Sequence, residues 1–128
     1  MKNILNKRMI ERYSRQIVLK DVGIIGQKKI IKSKVLIIGA GGLGCPIADH
    51  LCRAGLGTLG IADFDKISLS NIHRQSLYNF KDVGKLKVDV IREKLKLINP
   101  VIKLKLYKKR INKHNISNII KNFDIIVD

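Results

Sequence analysis

An α/β fold built on an open, parallel sheet with helices on both faces is what this sequence predicts, and three observations predict it. Apolar runs of strand length alternate along the chain with segments whose apolar residues recur at helical spacing. The first such run, Val35-Leu36-Ile37-Ile38, ends in the turn Gly39-Ala40-Gly41-Gly42-Leu43-Gly44 and is followed at once by a helical pattern. Finally, 45% of the 128 residues are hydrophobic, enough for one packed core, which excludes a disordered basic tail, a collagen-like repeat or a mucin-like stalk.

The elements follow in order. Met9 to Leu19 and Gly23 to Ile31 carry apolar positions at helical spacing with Asp21 and Gly23 as a break, so two short helices precede the sheet. After the strand at 35–38 and the glycine turn, Ile47, Ala48, Leu51 and Cys52 mark a helix that stops at Gly55. Thr58-Leu59-Gly60-Ile61-Ala62 is a second strand that runs into Asp63-Phe64-Asp65 and then a polar connection as far as Tyr78. Connections of that length tend to carry sites. Val83, Val88, Val90, Ile91, Leu95 and Ile98 predict a helix stopped by Asn99-Pro100, followed by a third strand from Val101 to Tyr107. A helix over 115–122 and a fourth strand over 124–128 complete the chain. Because that strand has no crossover to cover it, the sequence reads as the front part of something longer.

Charge and cysteine usage say less than they first suggest. With 26 Lys and Arg against 10 Asp and Glu the formal net charge is +16, a value that by itself would point to an anionic partner. The 19 Lys, 22 Ile and 9 Asn set against four Ala are also what a coding bias toward A- and T-rich codons produces, and the lysines are dispersed. Only Lys103, Lys105, Lys108, Lys109, Arg110 and Lys113 look patch-like, and they fit either the wet face of a half-buried strand or an anion-binding face. A nucleic-acid partner therefore ranks last. Cys45 and Cys52 lie seven apart in one predicted helix, which indicates neither a disulfide framework nor a zinc pair but two small buried thiols. No apolar run approaches the roughly 18 residues of a membrane span, and no signal-peptide pattern opens the chain, so a cytoplasmic protein without a membrane partner is expected.

The chemistry concentrates in the first two strands and the loop behind them. Gly39, Gly41 and Gly44 form a G-x-G-x-x-G turn between strand and helix: the first glycine permits the tight turn, the second lets backbone approach phosphates, and the third lets helix pack on strand. Asp63, nineteen residues past Gly44, ends the second strand where a carboxylate can accept hydrogen bonds from ribose hydroxyls. These features predict a Rossmann-like nucleotide site without naming the nucleotide, and NAD is their default reading. Ser70-Asn71-Ile72-His73-Arg74-Gln75 and Gly84-Lys85-Leu86-Lys87 add positive and amide groups beside the turn, which suit transfer at phosphorus better than hydride transfer. The expected organisation is an N-terminal helical segment over residues 1–33 and the first part of a nucleotide-binding α/β domain over residues 34–128.

Taken together, Arg12-Tyr13-Ser14-Arg15-Gln16, the glycine turn, Asp63-Phe64-Asp65, Leu69 to Gln75, Val83 to Lys87 and Asn99-Pro100 occur in an order and spacing that resembles the ThiF/MoeB family, the bacterial relatives of ubiquitin-activating enzymes. The resemblance covers residues 11–128 and about the first half of a family member. It implies an ATP-dependent adenylyltransferase that activates the C-terminal Gly-Gly carboxylate of a ubiquitin-like sulfur-carrier protein for molybdopterin or thiamine biosynthesis. Carried over by position, Gly39, Gly41 and Gly42 form the turn that approaches the ATP phosphates, Asp63 meets the ribose, Ser70 and Asn71 line the nucleotide, and Arg74 and Lys87 contact its phosphates. Arg15, Asn71, Arg74 and Lys87 are the implied catalytic set, with Arg15 resembling the arginine that reaches the partner's site in a family homodimer.

Two departures accompany the resemblance. His73 stands where the family often has Gln, a change that keeps a hydrogen-bonding side chain. More seriously, Asp128 matches only the first Asp of the family's Asp-Cys-Thr-Asp-Asn segment, so the aspartate that serves Mg2+ is not among these residues, nor are the Cys-x-x-Cys pairs of the structural Zn2+ site. No metal ligand is expected here. A truncated, non-catalytic nucleotide- or partner-binding module and, behind it, an NAD-dependent oxidoreductase remain the alternatives.

Overall fold

The computed structural model describes residues 4–128. Its sheet has four parallel strands, β1 (Lys34–Ile38), β2 (Thr58–Ala62), β3 (Lys103–Tyr107) and β4 (Ile125–Val127), in the order β3-β2-β1-β4. Val35 pairs with Leu59 on one side and with Ile125 on the other, so β1 is central and the order reverses beside it. That reversal opens a crevice at the carboxyl ends of the strands, the usual ligand position in open α/β sheets.

Alternate residues of β1 face opposite layers, as the two-residue period of a strand requires. Val35 and Ile37 join Leu59 and Ile61 in a core with α4 (Gly44–Ala54) and α5 (Lys87–Ile98), which contribute Ala48, Cys52, Val88, Ile91 and Leu95. On the opposite face, Leu36 and Ala62 pack with Ile119 of α6 (Ile116–Ile120) and with Phe123 and Tyr107. Helices therefore cover both faces, as expected, although α6 is short and its layer is thin. β2 is buried along its whole length because it has a strand on each side and a layer on each face.

Several boundaries differ from the periodicity. The helix expected over Met9 to Leu19 breaks at Tyr13 into α1 (Lys7–Arg12) and α2 (Ser14–Ile17), because the Tyr13 side chain turns inward and is buried. With α3 (Gly23–Lys32), three helical pieces precede the sheet rather than two. The helix expected from Val83 begins only at Lys87, since Gly84 has φ +89° and Leu86 is extended. A helix cannot propagate through such backbone. The third strand starts at Lys103, not Val101, and the last helix and strand are each shorter than expected at both ends.

Candidate functional site

The glycine turn connects β1 to α4 at the carboxyl edge of the sheet. Gly39 has φ +97°, a conformation L side chains rarely adopt, and its N–H donates to the carbonyl of Ala62 at 2.8 Å, tying the turn to the end of β2. A Cβ on Gly44 would lie 2.1 Å from the Gly39 carbonyl oxygen, so only glycine lets α4 start this close to the strand. The N–H groups of Gly41 and Gly42 have no protein partner among the described residues.

Asp63 holds this turn from the β2 side. Its Oδ2 accepts the Ala40 N–H at 2.8 Å and its Oδ1 accepts the Asp65 N–H at 2.8 Å. Beyond the carboxylate lies a cleft of about 240 Å³ lined by Ile38, Gly39, Asp63, Phe64, Lys109 and Arg110, among others. The basic stretch after β3 thus divides. Lys103 and Lys105 alternate on the wet face of the strand, whereas Lys109 and Arg110 turn into the cleft. Larger cavities of about 330 and 420 Å³ surround Tyr13 at the opposite edge of the sheet, so cavity size does not mark the site.

The loop after β2 brings the expected basic and amide groups to the turn. Leu69–Asn71 is a single 3-10 turn whose capping box uses Asn71: its Oδ1 accepts the Ser68 N–H at 2.8 Å. Ser70 is exposed, and its carbonyl accepts from Arg74 Nη1 at 3.0 Å. His73 Nε2 lies 2.8 Å from the same Nη1; a guanidinium can only donate, so this ring nitrogen is the acceptor of the contact. The aliphatic stem of Arg74 lies on Gly42, with Cγ and Cδ 3.6 Å from where a Cβ would sit.

Lys87 is the first residue of α5 and is only 6% exposed. A cation at a helix N-terminus opposes the helix dipole, and the stem of this one is packed away while its ammonium keeps contact with solvent. Among the described residues no ion pair or side-chain hydrogen bond occupies its Nζ, and its charge is near enough to act on the Cys45 thiol. The loop that delivers it is anchored by Asp82, itself buried. Asp82 accepts the Asn79 N–H at 2.9 Å and pairs with Lys85 at 3.3 Å and Lys94 at 3.7 Å. Burial alone would raise its pKa, but the Asn79 hydrogen bond and the two ammonium groups together hold its carboxyl below the ordinary value.

Arg15 is the one expected site residue that is not brought to this edge. It is exposed on α2, and its neighbour Gln16 donates to the Ala54 carbonyl at 2.7 Å, at the far end of α4 from the glycine turn. The eleven residues of α4 put about 16 Å between the two ends. Gln75, Tyr78 and Asp82 are buried here. The sequence marks Gln75 within the Ser70–Gln75 segment and Tyr78 only as the end of the polar loop, and it does not single out Asp82. Lys109 and Arg110, which fit either of two readings in sequence, border the cleft. Cys45 and Cys52 are buried free thiols, as expected; burial raises the pKa of both, that of Cys52 to about 11. No group of three or more His, Cys, Asp or Glu able to hold a metal ion occurs among the described residues, and none of their helices is long and apolar enough to cross a membrane.

The profile of the ThiF family matches residues 13–128, nearly the whole chain. The chain belongs to the ThiF family. A ThiF-family relative from Gracilaria tenuistipitata var. liui, named a probable molybdopterin-synthase adenylyltransferase, is 44% identical over 124 residues, which are 97% of this chain and 35% of that protein. A relative from Thermus thermophilus named a sulfur carrier protein adenylyltransferase is 38% identical over 122 residues, 95% of this chain and 45% of that one. Among solved structures, Escherichia coli MccB, crystallised with ATP, superposes with a TM-score of 0.81 at 30% identity over all of this chain and 39% of MccB. The chain thus spans less than half the length of each of these three proteins.

Proposed function

We propose that this chain is the nucleotide-binding part of an ATP-dependent adenylyltransferase that activates the C-terminal Gly-Gly carboxylate of a ubiquitin-like sulfur carrier for molybdopterin or thiamine biosynthesis. The names of the Gracilaria and Thermus relatives and the ATP in the MccB structure support the reaction class. Lys87 is the observation that carries the reading to this site. A lysine packed along its stem at an unfavourable helix position, with no ion pair among the described residues, is explained by an anion that arrives with the substrate.

In the proposed reaction the carrier's terminal carboxylate oxygen attacks the α-phosphorus of ATP. The bond from that phosphorus to its bridging oxygen breaks, and pyrophosphate leaves with the electron pair. Gly41 and Gly42 let their N–H groups meet phosphate oxygens, Gly39 and Asp63 keep the turn in shape beside the ribose, and Ser70 and Asn71 line the nucleotide. Arg74 and Lys87 neutralise charge that grows on the leaving group, and such groups act strongly because they are in place before the reaction begins. Arg15 acts across a homodimer, in the partner's site. Mg2+ accompanies ATP in this reading, and no group of three or more His, Cys, Asp or Glu that could hold it occurs among the described residues.

ATP–pyrophosphate exchange by the full-length protein tests this. Exchange should require a carrier ending in Gly-Gly and fall by about 100-fold or more in Arg74→Ala. Exchange unaffected by Arg74→Ala removes that residue from the mechanism, and tight NADH binding in preference to ATP overturns the adenylyltransferase reading. For the composite site, mixing Arg15→Ala with Arg74→Ala protein should restore about a quarter of the activity. Half of the randomly reassociated dimers are mixed, and each of those holds one complete site of two. No recovery on mixing places Arg15 outside the site.

A further inference from the structure

Between the phosphate-facing turn and the Arg74 segment runs a hydrogen bond that the family motifs do not mark. The Tyr78 hydroxyl donates to the carbonyl of Ala40 at 2.7 Å, and the Cys45 thiol points at the same oxygen from 3.5 Å. On the other side of Ala40, its N–H is taken by Asp63. Both peptides that flank Ala40 are therefore fixed, and Ala40 is 1% exposed.

The Ala40 carbonyl and the Gly41 N–H belong to one planar, trans peptide, so they point in opposite directions. Drawing the carbonyl inward onto Tyr78 aims the Gly41 N–H outward. Of the two donors to that carbonyl, the thiol is weak and the phenol is strong. Tyr78 is 5% exposed, and burial, then the neighbouring Cys45 and Asp63, raises its pKa well above the ordinary phenol value, so it stays a donor across the physiological range. Tyr78 also lies four residues past Arg74, and its N–H donates to the Gln75 carbonyl at 3.1 Å. One hydroxyl thus sets the register between the turn and the segment that carries Arg74.

We propose that Tyr78 is a positioning residue of the nucleotide site: its hydroxyl orients the Ala40–Gly41 peptide so that the turn presents its free N–H groups to phosphate. The proposal rests on the nucleotide-binding reading for its purpose but not for its physical content. Tyr78→Phe keeps the ring that fills the core and removes only the donor, so a purely space-filling tyrosine would not notice the change.

The test is made on the full-length protein with two readouts. In the ligand-free protein, the 15N order parameters of Gly41 and Gly42 should fall in Tyr78→Phe from rigid values of about 0.85 to below about 0.6, with Val35 to Ile37 unchanged. By calorimetry, ATP should bind about fivefold to tenfold more weakly, the range expected for one lost neutral hydrogen bond that leaves its acceptor only the weak thiol donor. Placing 4-aminophenylalanine at position 78 restores a donor and should recover both. Unchanged order parameters at Gly41 and Gly42 overturn the positioning role. If wild-type protein binds no ATP while the order parameters still fall, the nucleotide reading fails and the positioning of the turn stands.

Discussion

At the C-terminal end of α4, polar side chains close the last turn, and none of their buried N or O atoms is left without a partner among the described residues. Gln16 and Gln27 both donate to the Ala54 carbonyl and contact each other, while Asn99 Nδ2 donates to the Cys52 carbonyl at 3.1 Å and to the Tyr13 hydroxyl at 3.2 Å. Arg12 adds a bond to the Ile98 carbonyl at 2.8 Å. The last carbonyls of a helix are orphans, and here side chains from three other elements satisfy them. At the N-terminal end of the same helix, among the described residues, the Gly41 and Gly42 N–H groups have no partner, Lys87 has no ion pair, and Gln75 Oε1 is buried with no partner. Both ends set polar side chains from distant parts of the sequence against a glycine-containing turn. What separates them is satisfaction. A polar cluster whose hydrogen bonds are complete holds the fold together, and one whose bonds are left open is available to a ligand.

The largest effect that would sharpen this contrast is at Lys87. Lys87→Met should lower ATP–pyrophosphate exchange by about 100-fold while the urea midpoint stays at or above that of wild type, because the change removes a charge that opposes the helix dipole and has no ion pair among the described residues. A lower midpoint with normal exchange would move Lys87 into the structural class. Next in size is the other end. Gly55 has φ +93°, and a Cβ there would lie 2.6 Å from the Tyr13 ring and 2.8 Å from Gln27 Nε2. Gly55→Ala should cost about 3 kcal/mol in chemical denaturation while exchange per folded molecule is unchanged. Exchange that falls in step would show that the two ends are coupled through α4.

The smallest expected effect tests the one satisfied cluster on the open side, Asp82 with Asn79, Lys85 and Lys94. Its folded pKa is below the unfolded value, so its contribution is present above the ordinary carboxylate pKa of 3.8 and is lost as pH falls through the folded value. Asp82→Asn should therefore cost about 1 kcal/mol or less at pH 7, given how exposed Lys85 is, and nothing once both states are protonated. A difference that persists at the acid end would mean that the Asn79 hydrogen bond, not the charge, anchors the Lys87 loop.

Much of this molecule is legible in local pattern. Alternation of apolar runs with helical periods gives the four parallel strands and the helices around them, since both periods are properties of the backbone that side chains only report. Gly39, Gly44, Asp63, Arg74 and Lys87 stand out because a tight turn and phosphate chemistry each demand particular residue types at fixed spacing. Tyr78 and Asp82 do not, and Tyr13 and Gln75 show only as members of a motif, because what all four do depends on which residue from a distant part of the chain lies opposite. Tyr13 meets Asn99 across 86 positions of sequence, and Tyr78 meets Ala40 across 38.

By itself, then, the sequence determined the fold class, the glycine turn and the family, each of which rests on short local patterns and their order along the chain. Only the tertiary structure decided that the Arg12-Tyr13 and Asn99 motifs form one clasp far from the turn, that Lys109 and Arg110 enter the cleft while Lys103 and Lys105 face water, and that Arg15 stands apart from the rest. The physical reason is that a hydrogen bond is satisfied or left open by its partner in space, and spacing along a chain does not say which groups the packed core will bring together.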